Sequence, residues 1–287
     1  MIPIAPFPLA GSAALVCAFG LAIGSFLNVV VHRVPAGMSV VSPASACPVC
    51  GHAIRGRDNV PVLSWFTLRG RCRDCGTAIS SRYPLVEAAT ALLFLLVGAV
   101  FVLAPWSPLR TSLPGVQGVA HGATVLAAYL FLMAVSVALA LIDIDTHTLP
   151  NRIVLPTSVV LPVFLTLAAT LADDWGAILR GVIGLLGLAG VYLALALAVP
   201  GGMGLGDVKL AGVLGFALAY LGWGPLAVGS FGAFFLGGIF SIVLVVTRRV
   251  GRRTGIPFGP WMLGGAWLGI FFGAPIWAAY LSVLGVA

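Results

Sequence analysis

Eight apolar segments, most of them about twenty residues long, constrain this chain more than any other feature of its sequence. A helical run of this length matches the hydrocarbon thickness of a membrane. The segments lie near residues 9–31, 84–104, 120–142, 153–172, 181–199, 208–222, 225–247 and 261–284. The sequence therefore predicts an all-α polytopic membrane protein with about eight transmembrane helices, although the sixth segment is short for a span.

The composition excludes other protein classes. Charged residues make up 8% of the chain and hydrophobic residues 60%, whereas an ordinary soluble domain has roughly 25% charged residues. A soluble globular protein would therefore lack the charges to cover its surface, and a disordered chain is excluded for the same reason. A transmembrane β-barrel would instead alternate polar and apolar residues in segments of about ten.

The distribution of basic residues predicts the orientation of the spans. If the loop at 32–83 is cytoplasmic, 13 of the 15 Lys and Arg residues fall on the cytoplasmic side, and only Arg110 and Arg180 fall outside. This follows the positive-inside rule and predicts that both termini are outside. We therefore interpret the net charge of +7 as a topology signal and expect no nucleic-acid partner, with anionic lipid contact by the basic cluster at 248–253 as a secondary role.

Four cysteines of the cytoplasmic loop form two Cys-x-x-Cys pairs, namely Cys47 with Cys50 and Cys72 with Cys75. Two such pairs are typical of a zinc ribbon, because four thiolates complete a tetrahedral site without an open position. The zinc would then be structural and would fold a loop that has little apolar core. Two disulfides are disfavoured in the cytoplasm, while redox chemistry and free thiols remain alternatives.

Four acidic residues lie at predicted cytoplasmic ends of spans, namely Glu87, Asp143, Asp145 and Asp207. Ionisable groups at the membrane boundary are costly unless paired or hydrated, so they are functional candidates. Asp143 and Asp145 would point to different faces of a helix. Asp207 follows two glycines, which allow another backbone to approach closely. We expect Asp58 and Asp74, in the arginine-rich loop, to form ion pairs there.

One carboxylate thus ends the third span and another begins the sixth, on the same predicted membrane face. Two neighbouring carboxylates share a proton, so one can activate a water molecule while the other protonates the carbonyl or leaving group. This is the chemistry of an aspartic protease. Residue spacing alone leaves two alternatives open. In the first, the acids have a structural role as helix caps or as partners of interfacial arginines. In the second, they are the proton sites of a carrier.

Four sequence blocks, in the correct order, resemble the bacterial type IV prepilin peptidases, which are GxGD-type aspartyl proteases and also N-methyltransferases. The blocks are GSFLNVVVHRVP at 24–35, CPVCGHAIRGRDNVPVLSWFTLRGRCRDCGTAISSRYPLVE at 47–87, the Asp143 segment that ends in Leu149-Pro150, and GLGD at 204–207. The resemblance implies that Asp143 and Asp207 form the catalytic pair and that Asp145 is secondary.

The resemblance also implies a substrate and a second reaction. The substrates would be prepilin or pseudopilin precursors, cut on the cytoplasmic side of the bacterial inner membrane after a basic leader that ends in Gly. S-adenosylmethionine would then methylate the new N-terminal amine, an activity that the family links to the cysteine domain. Candidate cofactor-binding residues are Gly70, Arg71 and Glu87, and the alternative for Glu87 is a favourable charge at a helix N-terminus.

The expected organisation has three parts: a first span at 1–31, a four-cysteine domain at 32–83 and a seven-span aspartyl peptidase domain at 84–287. Two other functions remain open. An ion-coupled carrier that uses the same aspartates would favour an inverted repeat and charges in the middle of its spans. A non-enzymatic assembly platform, whose zinc loop recruits a partner, would tolerate Asp207→Asn.

Overall fold

The computed structural model describes residues 9–107, 109, 114–198, 203–247 and 257–286. Within these ranges the structure is almost entirely helical, apart from turns and two isolated β-bridges. Arg110 and the basic cluster at 248–253, which entered the topology prediction, lie outside the described residues. The chain divides into two compact units, Met1–Ala99 and Val100–Ala287.

The first unit is built on two long helices that are separated by the cysteine loop. Its elements are α1 (Leu9–Arg33), a 3₁₀ turn (Gly56–Asp58), the short helix α2 (Leu63–Thr67) and most of α3 (Arg82–Leu103). Helices α1 and α3 are antiparallel, because Gly20 lies against Ala91 and Gly24 lies against Glu87. A Cβ atom at either glycine would come within 2.7 Å of the opposite backbone, so this close contact requires glycine.

The second unit is a bundle in which neighbouring helices pack through small residues. Its helices after α3 are α4 (Gly115–Thr146), α5 (Asn151–Leu171), α6 (Trp175–Ala198), α7 (Leu205–Leu221), α8 (Trp223–Val246) and α9 (Gly259–Val283). A Cβ atom at Gly215 in α7 would overlap the carbonyl oxygen of Gly184 in α6. Gly265 in α9 meets the backbone of Ala233 in α8 equally closely, which is the glycine packing typical of membrane helices.

Each of the eight predicted spans coincides with a helix. Among the described residues, seven helices are long and apolar enough to cross a membrane, namely α1, α3, α4, α5, α6, α8 and α9. Helix α7 has only 17 residues, and its residues from Leu210 to Tyr220 are all buried. The structure therefore confirms a helical multi-pass membrane protein, in which the 17-residue helix α7 is covered by other helices.

Helix α4 begins five residues before its predicted span at 120–142, and helix α6 begins six residues before its predicted span at 181–199. At α6 the cause is Asp174, whose Oδ1 accepts a hydrogen bond from the Ala177 N–H at 2.9 Å and thereby caps the helix. Arg180, expected in an outside connection, lies in α6 instead and forms an ion pair with Asp174 at 3.7 Å. A capping acid and its basic partner extended the helix beyond its apolar segment.

Buried polar side chains of α4 hold this helix against three neighbours. The Tyr129 hydroxyl donates to the carbonyl oxygen of Ala217 at 2.7 Å, and a ring nitrogen of His121 lies 2.8 Å from the carbonyl oxygen of Ala168. The Trp267 indole N–H donates to the Ser136 hydroxyl at 3.0 Å. These bonds fix α4, which carries Asp143 near its end, against α5, α7 and α9.

Candidate functional site

Asp143 is a buried acid near the end of α4, with 5% of its surface exposed. Its Oδ2 accepts a hydrogen bond from the backbone N–H of Gly259 at 2.9 Å. Gly259 begins α9, where free N–H groups and the helix dipole favour a negative charge. A Cβ atom at this position would lie 2.7 Å from the same carboxylate oxygen. Asp145, two residues later, is exposed.

The connection between α4 and α5 fixes the backbone around Asp143. Helix α4 ends in His147, which has a left-handed conformation (φ 54°) and donates its N–H to the Asp143 carbonyl at 2.8 Å. Pro150 then precedes the first residue of α5. Between them, Leu149 lies against both Gly206 and Gly259, where added Cβ atoms would come within 3.0 and 3.2 Å of it. This leucine joins the segments that carry the two aspartates.

Asp207 is a half-buried acid in the first turn of α7. Its Oδ2 accepts the Gly204 N–H at 3.1 Å, and its own N–H donates to the Gly204 carbonyl at 3.1 Å. Asp143 lies near enough for the charges of the two carboxylates to interact. The structure thus brings together, from two helix ends, the two acids that the resemblance selected.

Two further residues lie around Asp207. Lys209 donates to the Asn151 side chain at 2.9 Å, which ties the start of α7 to the start of α5. Tyr192 of α6 is buried, lies near Asp207, and packs against Phe258 with ring centroids 6.3 Å apart. Sequence reasoning missed Tyr192, because a tyrosine within an apolar span gives no charge or motif signal.

The four cysteines of the loop form one cluster. Their Sγ atoms all lie within 4.8 Å of one another, and those of Cys47 and Cys75 are 3.8 Å apart. A tetrahedral zinc with Zn–S bonds of about 2.3 Å has sulfur atoms about 3.8 Å apart, so the donor set fits zinc. The thiols are free rather than joined in disulfides.

The two Cys-x-x-Cys pairs have the same local structure. The N–H of Cys47 donates to the His52 carbonyl at 2.9 Å, and the N–H of Cys72 donates to the Thr77 carbonyl at 2.8 Å. Gly51 and Gly76 follow the pairs with φ angles of 72° and 70°, which glycine adopts without strain. Each knuckle therefore positions its two thiols through its own backbone.

The thiols of the cluster differ in acidity. The backbone N–H groups of Cys50 and Val49 hydrogen bond to Cys47 and lower the pKa of its thiol to about 6. Although the backbone N–H of Thr77 favours the thiolate of Cys75, burial and the neighbouring thiols raise the pKa of Cys75. One thiolate therefore forms readily, while a divalent cation would be needed to neutralise four of them.

Ion pairs support the cysteine loop, as predicted for Asp58 and Asp74. Asp58 receives two hydrogen bonds from the Arg73 guanidinium, one of them at 2.6 Å. This pairing holds the pKa of the Asp58 carboxyl below its usual value. Asp74 pairs with Arg55 at 3.3 Å. These contacts join the loop before α2 to the second cysteine knuckle.

A cavity of about 400 Å³ lies beside the cluster. Its wall includes Trp65, Ile79, Tyr83 and Glu87. Glu87, with 8% of its surface exposed, accepts a hydrogen bond from the Val62 N–H at 2.6 Å.

Val62 has an unusual backbone conformation, with φ 62° and ψ −52°. The Leu63 N–H donates to the Pro61 carbonyl at 2.6 Å across it, which makes a γ-turn of the rare, strained form. A β-branched residue is costly at such a φ angle. This strained turn lies in the cavity wall, and its Val62 N–H group points to the Glu87 carboxylate.

The three candidate cofactor-binding residues occupy different places. Glu87 lies in the cavity wall, in the second turn of α3, so the interpretation as a charge in the first helical turn is wrong. Gly70 (φ 65°) lies behind Trp65, whose ring would be 2.9 Å from an added Cβ atom. Arg71 is exposed and does not line the cavity. Val62 and Trp65 were missed, since nothing in their spacing marks them.

Comparisons with known proteins cover both sites. Residues 18–101 match the bacterial peptidase A24 N-terminal domain, and residues 130–242 match the type IV leader peptidase family. The chain is 36% identical to the prepilin leader peptidase/N-methyltransferase of Aeromonas salmonicida (strain A449) and 35% identical to that of Pseudomonas putida, over 94% of each chain. For the protein of the same name from Burkholderia pseudomallei (strain 1026b), identity is 34% over 96% of this chain and 91% of the relative. No solved structure matches.

Proposed function

Because this chain belongs to the type IV leader peptidase family, we propose that it removes the leader of prepilin or pseudopilin precursors and methylates the new N-terminal amine. The observation that carries the proteolytic part is the buried Asp143 carboxylate, held by the first N–H group of α9 and within electrostatic range of Asp207. The GxGD segment supplies the second acid at the start of α7.

The proposed cleavage needs only the two aspartates and water. One carboxylate takes a proton from water as its oxygen attacks the scissile carbonyl carbon, and the other protonates the departing amine. The Gly259 N–H holds one Asp143 oxygen in place, so the other is available for this transfer. Gly204 is exposed and has no side chain, which leaves room for an extended substrate backbone beside Asp207.

We assign the aspartyl peptidase to residues 84–287 and place its aspartates on the cytoplasmic side of the inner membrane, with both termini periplasmic. The bias of basic residues toward one set of connections supports this orientation. Substrates with a short basic leader before a long apolar helix would then present their junction where the helix leaves the bilayer. Lipids would contact the outward-facing apolar side chains of the helices.

We assign methylation to the four-cysteine domain at 32–83. Cys47, Cys50, Cys72 and Cys75 would hold a structural zinc ion, since four thiolates leave no open coordination position for catalysis. S-adenosylmethionine, when bound, supplies an electrophilic methyl group. The knuckles and the Asp58–Arg73 pair would keep the surrounding loop folded for that step.

A cleavage assay tests the proposal. Purified full-length protein, loaded with zinc, is mixed with a prepilin and S-adenosylmethionine, and the products are read by mass spectrometry. We expect cleavage after the leader's Gly and a gain of one methyl group. Asp143→Asn and Asp207→Asn should each reduce the rate by about 10²–10⁴-fold, because each removes one half of the acid–base couple.

The matched control is Asp145→Asn, which makes the same change two residues away at an exposed position and should cleave normally. Full cleavage by folded Asp207→Asn would contradict the peptidase assignment. Failure of the wild type on several precursors, combined with aspartate-dependent proton transport in vesicles, would support the ion-coupled carrier instead.

A further inference from the structure

Glu87 is a buried acid in the cavity wall, and the two arginines of the same wall are paired with other acids. Nearby arginines are engaged elsewhere, Arg73 by Asp58 and Arg55 by Asp74. A buried charge is costly unless it is compensated. The cavity wall therefore has no unpaired arginine that could compensate the Glu87 carboxylate.

The position of this carboxylate is fixed by its surroundings. Its Oε2 accepts the Val62 N–H at 2.6 Å, and that N–H is presented by the strained γ-turn described above. On the other side, Gly24 of α1 packs so closely on Glu87 that an added Cβ atom would lie 2.7 Å from its Cα atom. Such strain around one polar group is typical of ligand-binding sites.

The cavity that Glu87 lines fits a small organic ligand. Its volume of about 400 Å³ falls within the range of small-molecule sites, roughly 300–1,000 Å³. Trp65 forms part of the wall and is held by its indole N–H, which donates to the Ile79 carbonyl at 3.0 Å. An aromatic ring and a carboxylate in the same cavity wall are a suitable environment for an organic cation.

We propose that this cavity binds S-adenosylmethionine, with the Glu87 carboxylate opposite the sulfonium group. The inference rests on the proposed methyltransferase function and names the site at which the methyl donor is held. Of the two cations in that reaction, the substrate amine must lose its proton before it accepts a methyl group, and an adjacent carboxylate would favour its protonated form. The sulfonium has a permanent charge, so Glu87 suits it better.

The test compares S-adenosylmethionine with S-adenosylhomocysteine, which has the same groups except the methyl and the positive charge on sulfur. Binding of both is measured by calorimetry on full-length, zinc-loaded protein in detergent. We expect the wild type to bind the charged ligand more tightly. Glu87→Gln should weaken its binding by about tenfold or more, which corresponds to 1.4 kcal/mol per factor of ten, and should leave S-adenosylhomocysteine binding within about twofold.

Asp145→Asn is the matched control, because it makes the same loss of a carboxylate charge at an exposed residue that does not line the cavity. It should keep the preference for the charged ligand. Zinc content is measured for each variant to verify that the domain is folded. In a second measurement that needs no variant, S-adenosylmethionine labelled in its methyl group is cross-linked to the wild type by ultraviolet light, and the label should map to residues 46–87.

Three results would overturn the inference. Equal losses for both ligands in Glu87→Gln would place the carboxylate elsewhere on the ligand than at its sulfonium. Unchanged binding of both, or a cross-link outside residues 46–87, would place the cofactor in another site. If the wild type methylates normally while any of these results is found, the proposed function stands and only the assigned site is wrong. A wild type that neither binds S-adenosylmethionine nor methylates would contradict the proposed methyltransferase function as well.

Discussion

The two units bring their reactive groups together by different means. In the first unit, each pair of cysteines is positioned by one short turn, and the two turns repeat the same hydrogen bonds around Cys47 and Cys72. In the second unit, Asp143 meets Gly259, which is 116 residues away in the chain, because packed helices hold both in place. The first site depends on local backbone conformation, and the second depends on close helix packing.

This difference indicates that the two sites can be damaged separately. A change in a knuckle should affect the metal and the methyl transfer, whereas a change at a helix contact should affect proteolysis.

The largest effect is expected from Cys72→Ser, which removes one of the four thiols proposed to hold zinc. Structural zinc contributes of the order of 10 kcal/mol to small domains, so zinc content and methylation should fall to near background while cleavage continues. Metal analysis and mass spectrometry of the products measure the two effects. Cys17→Ser, at the half-buried cysteine of α1 outside the cluster, should change neither; zinc retained by Cys72→Ser would contradict the four-cysteine site.

The next effect is expected from Gly259→Ala. The added Cβ atom would lie 2.7 Å from the Asp143 Oδ2, and relief of such crowding costs about 1–3 kcal/mol. Cleavage should slow by about tenfold to a hundredfold, with zinc content and methyl-donor binding unchanged. Gly264→Ala is the control, because its Cβ atom would meet only Leu236 at an ordinary 3.7 Å. If both variants cleave at the wild-type rate, the contact between α9 and Asp143 does not position the acid.

A smaller effect is expected from Gly70→Ala, which acts on the cavity proposed to bind S-adenosylmethionine. Its φ of 65° is unfavourable for alanine, and the Cβ atom would meet the Trp65 ring at 2.9 Å, so the ring should shift in the cavity wall. The KM for S-adenosylmethionine should rise about threefold to tenfold while cleavage is unaffected. Gly56→Ala, which meets nothing within 4 Å, serves as the control, and equal KM values in the two variants would contradict the role of Trp65.

The smallest effect concerns pH. Pairing with Arg73 lowers the pKa of Asp58 in the folded protein, so the pair stabilises the fold above the ordinary carboxyl pKa and loses its effect as pH falls through the lowered value. Asp58→Asn should therefore lower the melting temperature at neutral pH, and its difference from the wild type should shrink in acid. Thermal unfolding across this pH range measures it, and a difference that grows in acid would be inconsistent with the pairing.

The sequence was sufficient to predict features that have a local or compositional signature. Apolar length identified the helices, and the spacing of the cysteines predicted their cluster. The start of α6 was misplaced, because hydropathy does not register a capping acid such as Asp174. The contact between Asp143 and Gly259 was not predicted, since it depends on the packing of distant helices, and the γ-turn at Val62 has no residue pattern that marks it.

The shortness and burial of α7 have a consequence for where cleavage takes place. Seventeen residues rise about 26 Å at 1.5 Å per residue, which is less than the roughly 30 Å of bilayer hydrocarbon. A lipid-facing helix would meet this hydrophobic mismatch by thinning the bilayer, but α7 is surrounded by protein and is free of that constraint. Its first turn, with Asp207, therefore does not have to reach the membrane surface, so the proposed peptidase would cut a precursor without withdrawing the precursor's apolar helix from the lipid.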